Sequence, residues 1–481
     1  MRRSITILLV IFAIIPFTFW CLGWAQYRIG GLLFEWSSDG CSLPFFGHLC
    51  DTGSNLSWVS ALVFNLLIFV MVLATLLTVA ERKWSAFTQD RIGPERARIG
   101  PAWFQKHVSL GGLPHVAADA LKMIFKENTR PTAADRDKIL FWLAPVLAFA
   151  PIFALAAVIP FGPTVWVSGY RVPAMVANPD FGILWVFAIA SLAVYGTSLA
   201  GWASNSKFAL LGGVRAASQM ISYEVALGLS LVGMMVAFST VRLPVLIGSA
   251  AAGTGQAQYL WGGSLWGIDF GLPAWGIFLQ PLGFLLFFAA AFAETKRAPF
   301  DIPEGESEII GYFLEYSGMK FGTFMISEFV EVVVLSALIT GIFLGGWHFG
   351  FALDGALAQG LGQSHPVVYG ALCAMVFALK VLLLCWFQLI VRWTFPRFRY
   401  DQIMTLGWKI LLPLGLFNLF LTGALVLLDP SLHWLALAGL LEIALLIGLT
   451  LTQAAKAGPG HEAAGHGDAQ ALPAAAASAH H

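Results

Sequence analysis

The sequence predicts an all-α protein, a polytopic transmembrane helical bundle of about ten spans. Three observations carry that expectation: recurrent apolar segments about 20 residues long, a composition too apolar for water, and basic residues gathered on one side of the threading. Hydrophobic residues make up 58% of the 481 positions and charged residues 11%, with a mean hydropathy of +0.77. Soluble domains rarely reach such values.

In hydrocarbon every backbone amide needs an internal partner, so each span must be a helix. The qualifying segments run roughly from 5 to 25, 58 to 80, 139 to 160, 183 to 203, 221 to 240, 277 to 293, 324 to 346, 367 to 391, 408 to 428 and 433 to 453. The first follows Arg2 and Arg3 and reads as a retained span, because its apolar stretch is longer than that of a usual signal peptide. Threading from a cytoplasmic N-terminus places 23 of the 27 Lys and Arg in cytoplasmic segments, three (Arg28, Arg171, Arg242) outside and Lys380 within a span. That asymmetry predicts a multi-pass protein of the cell inner (plasma) membrane with both termini cytoplasmic.

The connection 81 to 138 holds 11 of those basic residues and is too long for a plain turn. Glu81, Arg82, Lys83 and Trp84 sit at the membrane surface, and Gly93–Pro94 and Gly100–Pro101 turn the chain behind them. Arg82, Arg91, Arg96 and Arg98 offer charged donors to a polar head group or a partner's carboxylates, or simple positive-inside anchoring. Further along, Gly111 to Glu127 sets Leu113, Val116, Ala120, Met123 and Ile124 on one stripe. It reads as an interfacial helix, or as an amphipathic helix packed on a soluble partner.

Between Phe292 and Val332 stand eight carboxylates, Glu294, Asp301, Glu304, Glu306, Glu308, Glu315, Glu328 and Glu331, against Lys296, Arg297 and Lys320. Crowded carboxylates titrate as coupled groups, the property a proton relay needs. Pro303 suits a helix start, which would align Glu304, Glu308 and Glu315 on one stripe and turn Glu306 roughly 200° away. Glu224 and Lys380 lie inside spans, where ionisable groups are costly and usually functional; Lys380 is a candidate partner for one of the acids.

The five cysteines include no CxxC pair, and neither GxGxxG after a strand nor GxxxxGK[ST] occurs. No metal site and no means of holding iron–sulfur, flavin, nicotinamide or ATP is expected in this chain. Formal net charge is zero, which gives nucleic acid no field to follow. Cys41 and Cys50 lie in a segment placed outside the membrane, and the eight residues between them, with Pro44 and Gly47 favouring a reversal, allow a disulfide. The tail from Lys456 is low-complexity and should be disordered.

Several stretches, collinear from 58 to 428, resemble the family of the quinone-chamber membrane subunit of respiratory complex I: ERK-SAF-Q-R-GP from Glu81, ADALKMIFKE, SYEVALG, AETKRAPFDIPEGESE with LEYSGMKF, and RWTFPRFRYDQIM with GWKILLPL. The resemblance implies an eight-span core at 58–428, leaving an extra N-terminal segment at 1–57, an extra span at 429–455 and the tail at 456–481. It implies a membrane subunit of a proton-translocating NADH:quinone oxidoreductase, an enzyme subunit without a complete active site of its own. Quinone is then the substrate, and peripheral-arm quinone-module subunits, antiporter-like membrane subunits and lipid are the partners. Carried over, Glu81, Arg82, Trp84, Arg91, Asp119 and Lys122 belong to the quinone chamber, and Glu224, Glu304, Glu306, Glu308, Glu315, Glu328 and Lys380 to the proton path. A membrane-bound hydrogenase shares this pattern. A stand-alone ion transporter is the alternative of another class, and it leaves the long basic loop unexplained.

Overall fold

The structure, a computed structural model, describes residues 16–33, 58–97, 112–131, 138–167, 170–249, 254–265, 268–305, 311–350 and 353–456. The proposed Cys41–Cys50 bridge, Glu306, Glu308 and the tail beyond Lys456 lie outside the described residues.

The described chain is helical almost throughout, as hydrocarbon demands. Helix α1 covers 16–33, extending beyond the expected end at 25 and past Arg28. Then come α2 (Val59–Thr88), α3 (Pro114–Phe125), α4 (Lys138–Ala156), α5 (Gly182–Ala203) and α6 (Lys207–Phe238). A short α7 (Leu243–Ile247) leads to the broken pair α8 (Gly276–Leu279) and α9 (Pro281–Glu294). The chain closes with α10 (Gly318–Phe343), α11 (Leu353–Ser364), α12 (Pro366–Thr394), α13 (Tyr400–Leu428) and α14 (His433–Lys456). Among the described residues eight helices, α2, α4, α5, α6, α10, α12, α13 and α14, are long and apolar enough to cross a membrane. Two antiparallel hairpins, β1–β2 (Val165–Val167 with Tyr170–Val172) and β3–β4 (Tyr259–Leu265 with Ile268–Pro273), decorate the connections on one side.

Two boundaries differ from the apolar windows for physical reasons. Helix α6 starts at Lys207, 14 residues before the expected 221; the polar Gln219, which interrupts the apolar window, is accommodated by donating to the carbonyls of Ala293 (2.7 Å) and Phe300 (2.9 Å). The expected sixth span is two pieces. Gln280 leaves helical geometry (φ −144°, ψ 67°), and Pro281, lacking an N–H, restarts the helix at its first position.

Helix α10 is the axis of the bundle and is buried along nearly its whole length, packing on α2, α4, α9 and α12. Its core contacts include Val330, Val333, Ala337 and Ile339, all fully enclosed. Because the spans alternate, the ends carrying Glu81, Glu294 and Arg392 and the start of α10 share one face. The 157–181, 239–275 and 344–365 connections share the other.

Candidate functional site at the charged end of the bundle

Helix α2 runs to Thr88, so Glu81, Arg82 and Trp84 share its last turns before Asp90 reverses the chain with a positive φ of 53°. Glu81 points inward. Its Oε2 accepts from Arg297 Nη1 at 2.7 Å, and its Oε1 pairs with Arg392 from the last turn of α12. The Arg297 guanidinium also lies over the Phe329 ring, 4.1 Å from its centroid. One carboxylate thus joins three segments.

Arg82 turns outward to Asp119 of α3 (2.6 Å), which Lys122 also approaches at 3.4 Å. Lys83 donates to the Ile92 carbonyl (2.9 Å), holding the Gly93 turn against the helix. Trp84 meets Trp386 of α12 edge to face. Of the six residues assigned to the chamber, Arg82, Asp119 and Lys122 form one ionic group. Glu81 and Trp84 tie α2 to other helices, and Arg91 stands apart on the exposed turn, bonded to Gln89.

Behind Glu81 lies the acidic interior. Helix α9 ends at Glu294, and Lys296 takes a left-handed φ of 55°, folding Lys296 and Arg297 back into the protein. Lys296 Nζ approaches Glu331 Oε2 at 3.6 Å with both side chains buried. Glu328, one helical turn before Glu331, accepts from the fully buried Tyr312 hydroxyl at 3.1 Å. Burial, followed by the charge of Glu328, lifts the Glu304 carboxyl well above the usual carboxylate range. Glu304 Oε1 is buried with no hydrogen-bond partner. Burial alone would lower the Lys296 amine, but Glu331, Glu328, Glu304 and Glu294 together outweigh it and the net direction is up. Deeper still, Glu224, Glu294 and Glu331 line one small cavity of about 20 Å³ between α4, α5, α6 and α10.

These groups form a continuous succession from the surface turn into the bundle. Six carboxyls (Glu81, Glu224, Glu294, Glu304, Glu328, Glu331) face three cations (Lys296, Arg297, Arg392). Uncompensated charge at such burial is costly, so these carboxyls and bases lie against one another instead of standing alone.

Two expectations are corrected. No helix starts at Pro303: the described residues flanking 306–310 are turns, Gly311 has φ 134°, and the helix begins only at Gly318. Glu304 and Glu315 therefore share no stripe, and half-buried Glu315 joins none of these contacts among the described residues. Lys380 does not pair with an acid. Its Nζ donates to three carbonyls, Leu344 (2.7 Å), Gly346 (3.0 Å) and His348 (2.6 Å), and lies over the Trp275 ring, fastening the opposite end of α10. A cavity of about 1150 Å³ is also on that opposite side, between Pro160, Arg242 and Tyr369, away from the carboxylates. Lys296, Arg297, Glu294 and Glu331 went unassigned from sequence. The i, i+3 spacing of Glu328 and Glu331 in an otherwise apolar helix is the signal that could have found the last.

A bundle of apolar helices with a charged cluster buried at one end defines a polytopic membrane protein. The model of the NADH dehydrogenase family matches residues 61–423. The second of the NADH-quinone oxidoreductase H subunits of Geobacter sulfurreducens is 42% identical over 355 residues, covering 74% of this chain and 92% of the relative. The first H subunit of the same oxidoreductase from Cytophaga hutchinsonii is 39% identical over 359 residues (74% and 93%), and the H subunit from Flavobacterium psychrophilum 38% over 371 residues (77% and 97%). The chain belongs to the NADH dehydrogenase family and is a membrane subunit of that oxidoreductase.

Proposed function

We propose that this subunit forms, with peripheral-arm subunits, the chamber in which a quinone head is reduced, and that it couples the reduction to proton translocation through its glutamates. The observation that carries this reading is the double role of Glu81. It stands on the turn that carries Arg82, whose partner Asp119 on α3 also meets Lys122, and it pairs with Arg297, which feels the charges of Glu328 and Glu304. A charge formed beside that turn is felt along Glu304, Glu328, Glu331, Glu294 and Glu224, because pairing in a low-dielectric interior is weakly screened. Glu306, Glu308 and Glu315, from the acidic stretch of the sequence between Glu294 and Gly318, are assigned to the same path. Electrons reach the quinone from an iron–sulfur cluster on a neighbouring chain, and the antiporter-like membrane subunits receive the signal. The protein sits in the inner membrane with both termini cytoplasmic, the 58–428 core carrying the chemistry.

Replacing Arg82 with Met removes one charged donor while keeping bulk. It is expected to lower kcat/KM for quinone about ten- to a hundredfold, the worth of a hydrogen bond to a charged group. Electron entry into a hydrophilic acceptor should survive. Equal loss of both rates would mean failed assembly, and unchanged quinone kinetics would refute the chamber assignment.

A further inference from the structure

Helix α9 has 14 residues and rises about 21 Å, short of the roughly 30 Å hydrocarbon thickness. With its Glu294 end at the charged face, its start at Pro281 lies inside the bilayer. A helix start presents free N–H groups, which in hydrocarbon must find partners within the protein. Pro281 has none to offer, and the N–H of Leu282 goes to Oε2 of Glu442 at 3.3 Å.

Glu442 belongs to α14, which lies beyond the stretch matched by the family model, and it is the tenth residue of a 20-residue span, His433–Thr452. A carboxylate so placed is costly unless it is used. The helix is built to deliver it. Leu435, Ala436 and Gly439 form its buried stripe, with buried Leu432 just before the helix, and Glu442 follows on that stripe one turn further. Gly439 permits the approach: a Cβ there would overlap the Phe278 carbonyl oxygen, in the turn just before the break. At the other end, Asp429 accepts from the N–H groups of His433 (3.1 Å) and Trp434 (3.2 Å), and His433 Nε2 is 2.5 Å from the Leu260 carbonyl on β3.

We propose that α14 braces the broken helix and that Glu442 is a positioning residue, holding the start of α9 so that Glu294 at its other end stays in the cavity with Glu224 and Glu331. This rests on the proton-coupling reading above. A short rod is steered from its free end. Without the Glu442 acceptor, Leu282 must seek another partner, and the tilt that follows moves Glu294 out of register with Glu331.

The test uses the intact complex in proteoliposomes, with NADH and a short-chain quinone, recording quinone reduction and protons moved per quinone. Glu442→Leu, which suits a bilayer better than the acid does, is expected to cut kcat several-fold with KM for quinone unchanged and to reduce the protons moved. Glu442→Gln keeps an acceptor oxygen and should behave nearly as the unmodified complex. Normal turnover and pumping in Glu442→Leu, or a loss in Glu442→Gln as deep as in Glu442→Leu, would overturn the brace. If Glu442→Leu does not assemble, Gly439→Ala carries the test. It pushes α14 off Phe278 with Glu442 intact, so the same fall in kcat is expected and an unchanged rate refutes the proposal. An unmodified complex inert toward quinone would overturn the functional reading instead; the brace would then be judged by a lowered Tm in Gly439→Ala.

Discussion

Glu304 is the residue whose surroundings most constrain its chemistry. It stands outside the spans, half-buried, with Glu328 as its strongest charged neighbour and one oxygen buried and unpartnered. Its proton is therefore held in the folded protein at pH values where the unfolded chain has released it. Between the ordinary carboxylate range and the lifted value the folded state binds more protons, so this group's contribution to stability declines as pH rises through that window. At neutral pH an infrared spectrum should contain a protonated-carboxyl C=O band that Glu304→Gln removes. A band unchanged by the substitution would show that Glu304 is ionised. The sequence made the crowding of carboxylates legible but not their grouping. A stripe through Glu304, Glu308 and Glu315 presumes a helix, and the positive φ of Gly311 rules one out there. Lys296 and Arg297 look like ordinary surface bases in the string AETKRAP. Only the left-handed turn at Lys296 shows that both fold inward.

Among the elements, α3 was anticipated in place, and its surroundings bear on whether lipid or a soluble partner covers it. Val116 and Met123 are partly covered, Met123 against Gly322 of α10, whereas Leu121, Ile124 and Phe125 are exposed, Phe125 by 82%. An apolar edge of this kind beside a span fits a helix lying in the lipid interface. A bimane label on Phe125→Cys in the assembled complex should be quenched by lipids carrying a shallow nitroxide. Absence of quenching would favour a soluble partner covering that edge. The spans themselves were legible wherever hydropathy alone decides, as in α5 and α10. They were illegible where a polar side chain is satisfied out of sequence range, as Gln219 is in α6, or where one residue breaks an apolar run, as Gln280 does.

For the molecule as a whole, the threading places Lys456 on the cytoplasmic side together with the N-terminus. A reporter fused after Lys456 should be active only in the cytoplasm, and periplasmic activity would invert or shorten the threading. The orientation rests on charge counting, whereas the interior arrangement needed coordinates, because contacts such as Arg297 with Glu81 join residues 216 positions apart. Two arginines, one from the connection after α9 and one from the last turn of α12, close on Glu81, and this makes a keystone of it. The surface turn, the acidic connection and the last turn of α12 cannot be loosened one at a time. A lesion at any of the three should therefore surface as the same syndrome, in which catalysis and energy conservation falter together, and second-site suppressors should cluster around that single carboxylate.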